Sequence, residues 1–134
     1  MNLRKIAQWV PAMAVAALFA LSPLAANAGE KVLASGKLKG ASNHATSGNV
    51  SVVETDDGVV VVLGSNFNFD GAPDPKIGFG KSGSYDRASQ LGPLQSNSGE
   101  QTYKVPASVD PASYDEIYVW CEKYAVPLGV AAIK

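Results

Sequence analysis

One thiol, Cys121, and one imidazole, His44, are the side chains of this sequence best suited to nucleophilic, redox or metal-ligating chemistry, and the indole of Trp120 adjoins the thiol. A thiolate attacks disulfides and peroxides, and it ligates soft metals and haem iron. An imidazole beside it would favour the thiolate or supply a second ligand. The same counts close off other chemistry. With one Cys and one His, this sequence cannot form an internal disulfide, a four-cysteine metal centre, a C-x-x-C redox pair, a C-x-x-C-H haem attachment or a two-histidine copper site. No nucleophile elbow or metal-protease motif is present, so a non-enzymatic role is expected.

Several weaker features have ordinary explanations. Gly80-Lys81-Ser82 would end a phosphate loop only if glycine stood at position 75, and that residue is Pro75. Asp56, Asp57, Asp70 and Asp74 offer oxygen ligands for calcium, but their spacing fits no calcium loop. Asp-Gly and Pro-Asp pairs are ordinary turn formers, and the turn reading is preferred. No metal site is expected.

The segment Ile117-Tyr118-Val119-Trp120-Cys121-Glu122 must position the thiol. Alternation along a strand puts Ile117, Val119 and Cys121 on one face and Tyr118, Trp120 and Glu122 on the other. The apolar companions of Cys121 argue for the inward face. There a free thiol behaves as a small hydrophobe unless the fold makes it reachable. His44 lies in a polar stretch, Gly40 to Gly48, that leads into a hairpin. Whether the fold brings it to Cys121 is not legible from spacing.

Residues 1–28 have the pattern of an export signal. Arg4 and Lys5 precede a predominantly apolar, Ala-rich stretch from Ile6 to Ala25, and Ala26-Asn27-Ala28 satisfies the small-x-small rule before Gly29. Cleavage after Ala28 and delivery to the periplasm or the cell exterior are expected, with an uncleaved anchor as the rival reading. No cysteine follows the apolar stretch to carry a lipid. Trp9, Met1 and Met13 fall within this segment, so Trp120 is the one tryptophan after it, and no methionine follows it. Arg4 and Lys5 are two of the 11 basic residues; the other nine stand against 12 acidic ones. That mildly acidic, interspersed charge argues against nucleic acid and against attachment to a membrane surface after cleavage.

Residues 29–134 are expected to form one domain. Turn residues recur every 8 to 12 positions and no helical periodicity intervenes, which predicts an all-β fold: an antiparallel β-sandwich or barrel of roughly eight short strands. The expected strands are Val32–Leu38, Asn49–Glu54, Val59–Leu63, Asn66–Phe69, Lys76–Phe79, Gln101–Val105, Glu116–Glu122 and Leu128–Ile133. Thr55-Asp56-Asp57-Gly58 supplies a hairpin turn between the second and third. The apolar run Val59 to Leu63 suggests a strand covered on both faces. Lys81–Ser84 and Gln95–Gly99 read as loops.

The sequence resembles the electron-transfer DM-thirteen domain family. The resemblance is carried by Tyr118-Val119-Trp120-Cys121, Tyr124, Val126 and Gly129-Val130-Ala131 at the end of the chain. It continues through Leu91-Gly92-Pro93-Leu94, Tyr103-Lys104-Val105-Pro106, the stretch Phe69 to Asp74, and His44-Ala45-Thr46-Ser47-Gly48. Ala72, Pro75 and Leu128 depart from the family pattern. The resemblance implies a small extracytoplasmic β domain with a redox or electron-transfer role centred on its characteristic cysteine, here Cys121. That residue would act as a bare thiol or as a contact for a prosthetic group such as haem. With one His and no Met after residue 28, haem ligation is limited to Cys121, His44 or both. The partner implied is an exported redox or surface protein. The alternative is a structural or ligand-binding β module in which Cys121 is a core residue.

Overall fold

A computed structural model describes residues 29–134. The anticipated signal segment lies outside the described residues. Among the described residues eleven strands form: β1 (Lys31–Gly40), β2 (Thr46–Ser47), β3 (Asn49–Thr55), β4 (Gly58–Leu63), β5 (Asn68–Phe69), β6 (Pro75–Lys81), β7 (Ser84–Tyr85), β8 (Gly92–Pro93), β9 (Gln101–Lys104), β10 (Glu116–Cys121) and β11 (Val126–Ala132). All eight expected strands are present. The three additional ones, β2, β7 and β8, are two residues each, too short to leave an alternating pattern. No α-helix occurs among the described residues, and two single-turn 3-10 helices are capped by Asp86 and Asp110.

Pairing is antiparallel throughout, in the order β7-β6-β10-β11-β1-β3-β4-β9, with β8 also on β6 and β2 pairing β5 apart from the main sheet. The sheet curls into a half-barrel. Its concave face carries the core, to which alternate residues contribute: Val50 and Val52 from β3, Val61 and Leu63 from β4, Ile77 and Phe79 from β6, and Ile117 and Val119 from β10. Phe67 and Phe69 close one side.

The hairpin at Thr55 to Gly58 forms as anticipated. Gly58 adopts φ 125°, a conformation that strongly favours glycine, and the Asp57 N–H donates to Thr55 Oγ1. The Val59–Leu63 run corrects the expectation of two-sided burial. Val61 and Leu63 are fully buried, whereas Val60 and Val62 are only half-buried and line a shallow outer cleft with Ser51 and Thr102. In a curled single sheet, no second layer covers the convex side of β4. Pro75, one of the departures from the family pattern, begins β6 opposite Cys121, a position where the missing N–H is tolerated.

Candidate functional site

Cys121 is the last residue of β10, and its Cα is paired with Pro75 of β6 and Val126 of β11. Strand alternation does what the sequence anticipates: Ile117, Val119 and Cys121 all face the core, and Cys121 is 1% exposed. Its Sγ–H donates to the Pro73 carbonyl oxygen at 3.3 Å. The next residue continues the attachment, since the Glu122 N–H donates to the Asp74 carbonyl at 3.1 Å. Lys76 Nζ pairs with Asp74 Oδ1 at 3.0 Å. The segment Asp70–Asp74 is therefore pinned at its C-terminal end beside the thiol.

The N-terminal end of that segment is held by the His44 loop. His44 Nδ1 lies 2.8 Å from Asp70 Oδ1, and the Ala45 N–H donates to Asp70 Oδ2 at 2.9 Å. These contacts hold the Asp70 carboxyl below the usual carboxylate range, the Ala45 N–H foremost and His44 second. An ionised carboxylate only accepts hydrogen bonds, so Nδ1 carries the proton in this pair. The His44 ring also lies against Phe69, with centroids 5.8 Å apart. The loop itself turns through left-handed backbone at Ser42 and Asn43. It is anchored to β11, where the Ala41 N–H and Thr46 Oγ1 both donate to the Leu128 carbonyl.

His44 and Cys121 thus engage opposite ends of one five-residue segment, Asp70 to Asp74. Among the described residues no hydrogen bond joins the two side chains. The acidic residues behave as turn and latch groups. No cluster of three His, Cys, Asp or Glu suited to a metal ion occurs among the described residues.

Trp120 faces the convex side, opposite its neighbour Cys121. It stacks on Tyr85 of β7, with centroids 4.4 Å apart and ring planes 11° from parallel, and Tyr118 meets both rings edge-on. The rings lie over β6 at Gly78 and Gly80, where an added Cβ would come within 2.7 Å of Tyr85 Oη and 2.3 Å of Tyr118 Cε1. Burial, with Glu116 beside it, raises the Tyr118 hydroxyl to about 12. Trp120 Nε1 is buried and has no hydrogen-bond partner among the described residues. Alternation places Tyr118 and Trp120 together, but Tyr85 lies on a two-residue strand with no periodic signal, so sequence reasoning missed it.

A haem does not fit these residues as they stand. Cys121 Sγ is buried and engaged with Pro73, and His44, whose Nδ1 is held by Asp70 and which has only Nε2 left to ligate, shares no hydrogen bond with it. Neither residue lines any of the five principal clefts among the described residues. No helix among the described residues is long and apolar enough to cross a membrane.

Among known families, the model described as "Electron transfer DM13" matches residues 37–133. No curated protein and no solved structure matches the chain.

Proposed function

We propose, from the premise that this chain belongs to the electron transfer DM13 family, that it is an exported redox-associated domain whose reactive group is the bare thiol of Cys121. The observation carrying this reading is the hydrogen bond from the chain's one thiol to a short segment held at both ends by polar contacts. Lifting Asp70–Asp74 breaks the S–H···O contact, two backbone hydrogen bonds (Asp70 N–H to Ala45 and Glu122 N–H to Asp74), the Ala45 N–H bond to the Asp70 carboxylate, and the His44–Asp70 and Lys76–Asp74 side-chain contacts. It need not unfold the sheet. Such local opening proceeds at a fraction of the cost of global unfolding.

With one cysteine in the sequence, the step is an exchange with a partner. The Cys121 thiol loses its proton to solvent, and the thiolate attacks a disulfide sulfur of an exported protein. A new S–S bond forms as the old one breaks, and the partner's second sulfur leaves as a thiolate. A peroxide would instead give sulfenic acid at Sγ, with cleavage of the O–O bond. A prosthetic group held by Cys121 is disfavoured by the buried sulfur.

A second reading has its own observation: at 1% exposure, with its hydrogen already donated, Cys121 meets the description of a core residue in a structural or ligand-binding module. Native-state modification separates the two. Reaction of Cys121 with a small disulfide reagent faster than the protein unfolds supports the redox thiol, and reaction only upon global unfolding supports the core residue.

A further inference from the structure

At the end of β10 and β11 opposite Cys121, the concave core opens to solvent. Tyr114 lies two residues before β10, Ile133 directly follows β11, and both line a cavity of about 460 Å³, a size typical of small-molecule sites. The wall is apolar: Leu33, Ala34, Val52, Val59, Tyr114 and Ile133. Val52 and Ile133 belong to the buried core, so the cavity is a continuation of the core rather than a dimple in the surface.

Three features set this cavity apart from a packing defect. The β1–β3 register shifts between Val32 and Ala34, which makes Leu33 an extra residue and turns two consecutive side chains, Leu33 and Ala34, to the cavity wall. Bulges of this kind recur beside binding sites. Leu33 remains 42% exposed at the mouth and Val32 beside it 61%, two of the three large apolar side chains left exposed among the described residues. The third feature is charge. Glu54 continues the concave row of Val50 and Val52 and reaches the cavity lining, where it has no ion pair among the described residues. Among the lining residues Asp110 adds a second carboxylate against the cation of Lys134, while Lys31 stands opposite Glu54 in the β1–β3 register.

We infer that this cavity binds a small amphiphilic cation, an alkyl or aryl ammonium compound whose apolar part enters between Leu33 and Ile133 and whose charge rests at Glu54. The Tyr114 ring, backed by stacking on Phe79 at 5.2 Å, gives the cation an aromatic wall as well as a carboxylate. This site goes beyond the thiol reading and does not depend on it.

The test titrates the protein, expressed from its full-length chain, with octyltrimethylammonium, octanoate and 1-octanol, each below its micellisation concentration. Methyl NMR shifts of Val52, Val59 and Ile133 report occupancy. Octyltrimethylammonium is expected to saturate these shifts at a concentration at least about tenfold below octanoate, with octanol between them. Glu54→Gln should erase the preference over octanol and leave octanol binding unchanged. Ala112→Trp, at an exposed position on the rim, should block all three ligands, and Leu33→Gln should weaken all three. Lack of saturable shifts, shifts that survive both rim substitutions, or tighter binding of octanoate would overturn the inference. So would a dimer that Ala112→Trp dissociates, or binding seen only after removal of residues 1–28; these results would assign the cavity to a second copy or to that segment.

Discussion

The Cys121 thiol donates to the carbonyl oxygen of Pro73 at 3.3 Å. That contact ties the thiol to the Asp70–Asp74 segment, and under the proposed redox role release of this segment is the step that would expose the sulfur.

Loosening the far end of the segment should therefore expose the thiol. Asp70→Ala removes both the His44 contact and the Ala45 N–H bond, whereas His44→Ala removes only the first. Native-state modification of Cys121 is expected to accelerate severalfold in Asp70→Ala and less in His44→Ala, with little change in the far-UV spectrum. Equal rates in the three proteins would show that the latch does not gate the thiol.

Acid should act through the same groups. Asp70 and Asp86 are both held below the usual carboxylate range, Asp86 chiefly by the Tyr114 hydroxyl. A carboxyl whose folded value is depressed contributes stability above its unfolded value of about 3.9, and that contribution disappears as the pH falls through the lower folded value. Urea midpoints should fall below about pH 4, and the fall should be shallower in Asp70→Asn and Asp86→Asn.

The two faces of β4 should respond differently to substitution. Leu63 is fully buried, and Leu63→Ala is expected to cost about 3 kcal/mol in urea unfolding. Val62 is half-buried on the convex side, and Val62→Thr should change stability by no more than about 0.5 kcal/mol. Similar losses at both positions would restore the two-sided burial that the apolar run first suggests.

The contrast at β4 shows what the sequence makes legible. Period-two alternation at Ile117, Val119 and Cys121 is a local property, so the inward direction of the thiol can be read from the order of residues alone, as can the eight expected strands. An all-valine run has no alternation, and the layer that would cover it depends on distant chain. The junction of His44 with Asp70 spans 26 residues of sequence and arises because β2 pairs with β5. Two-residue strands carry no pattern from which that pairing, or the Tyr85–Trp120 stack, can be inferred.

The aromatic face should be separable from the thiol. Trp120→Ala removes the Tyr85 stack and is expected to cost about 3 kcal/mol, while Trp120→Phe keeps most of it. Because Trp120 and Cys121 face opposite sides, Trp120→Phe should leave the native-state modification rate of Cys121 unchanged. An acceleration matching that of Asp70→Ala would mean that the convex face also controls the thiol.

The most direct test of a reactive Cys121 is the rate of mixed-disulfide formation with 4,4′-dithiodipyridine under native conditions, followed by intact mass and set beside the unfolding rate of the same sample. Modification well ahead of unfolding, faster still in Asp70→Ala and absent in Cys121→Ser, is the result predicted for a thiol released by local opening. Modification that only keeps pace with global unfolding, in the wild type and in Asp70→Ala alike, would contradict the redox role and leave Cys121 as part of the core.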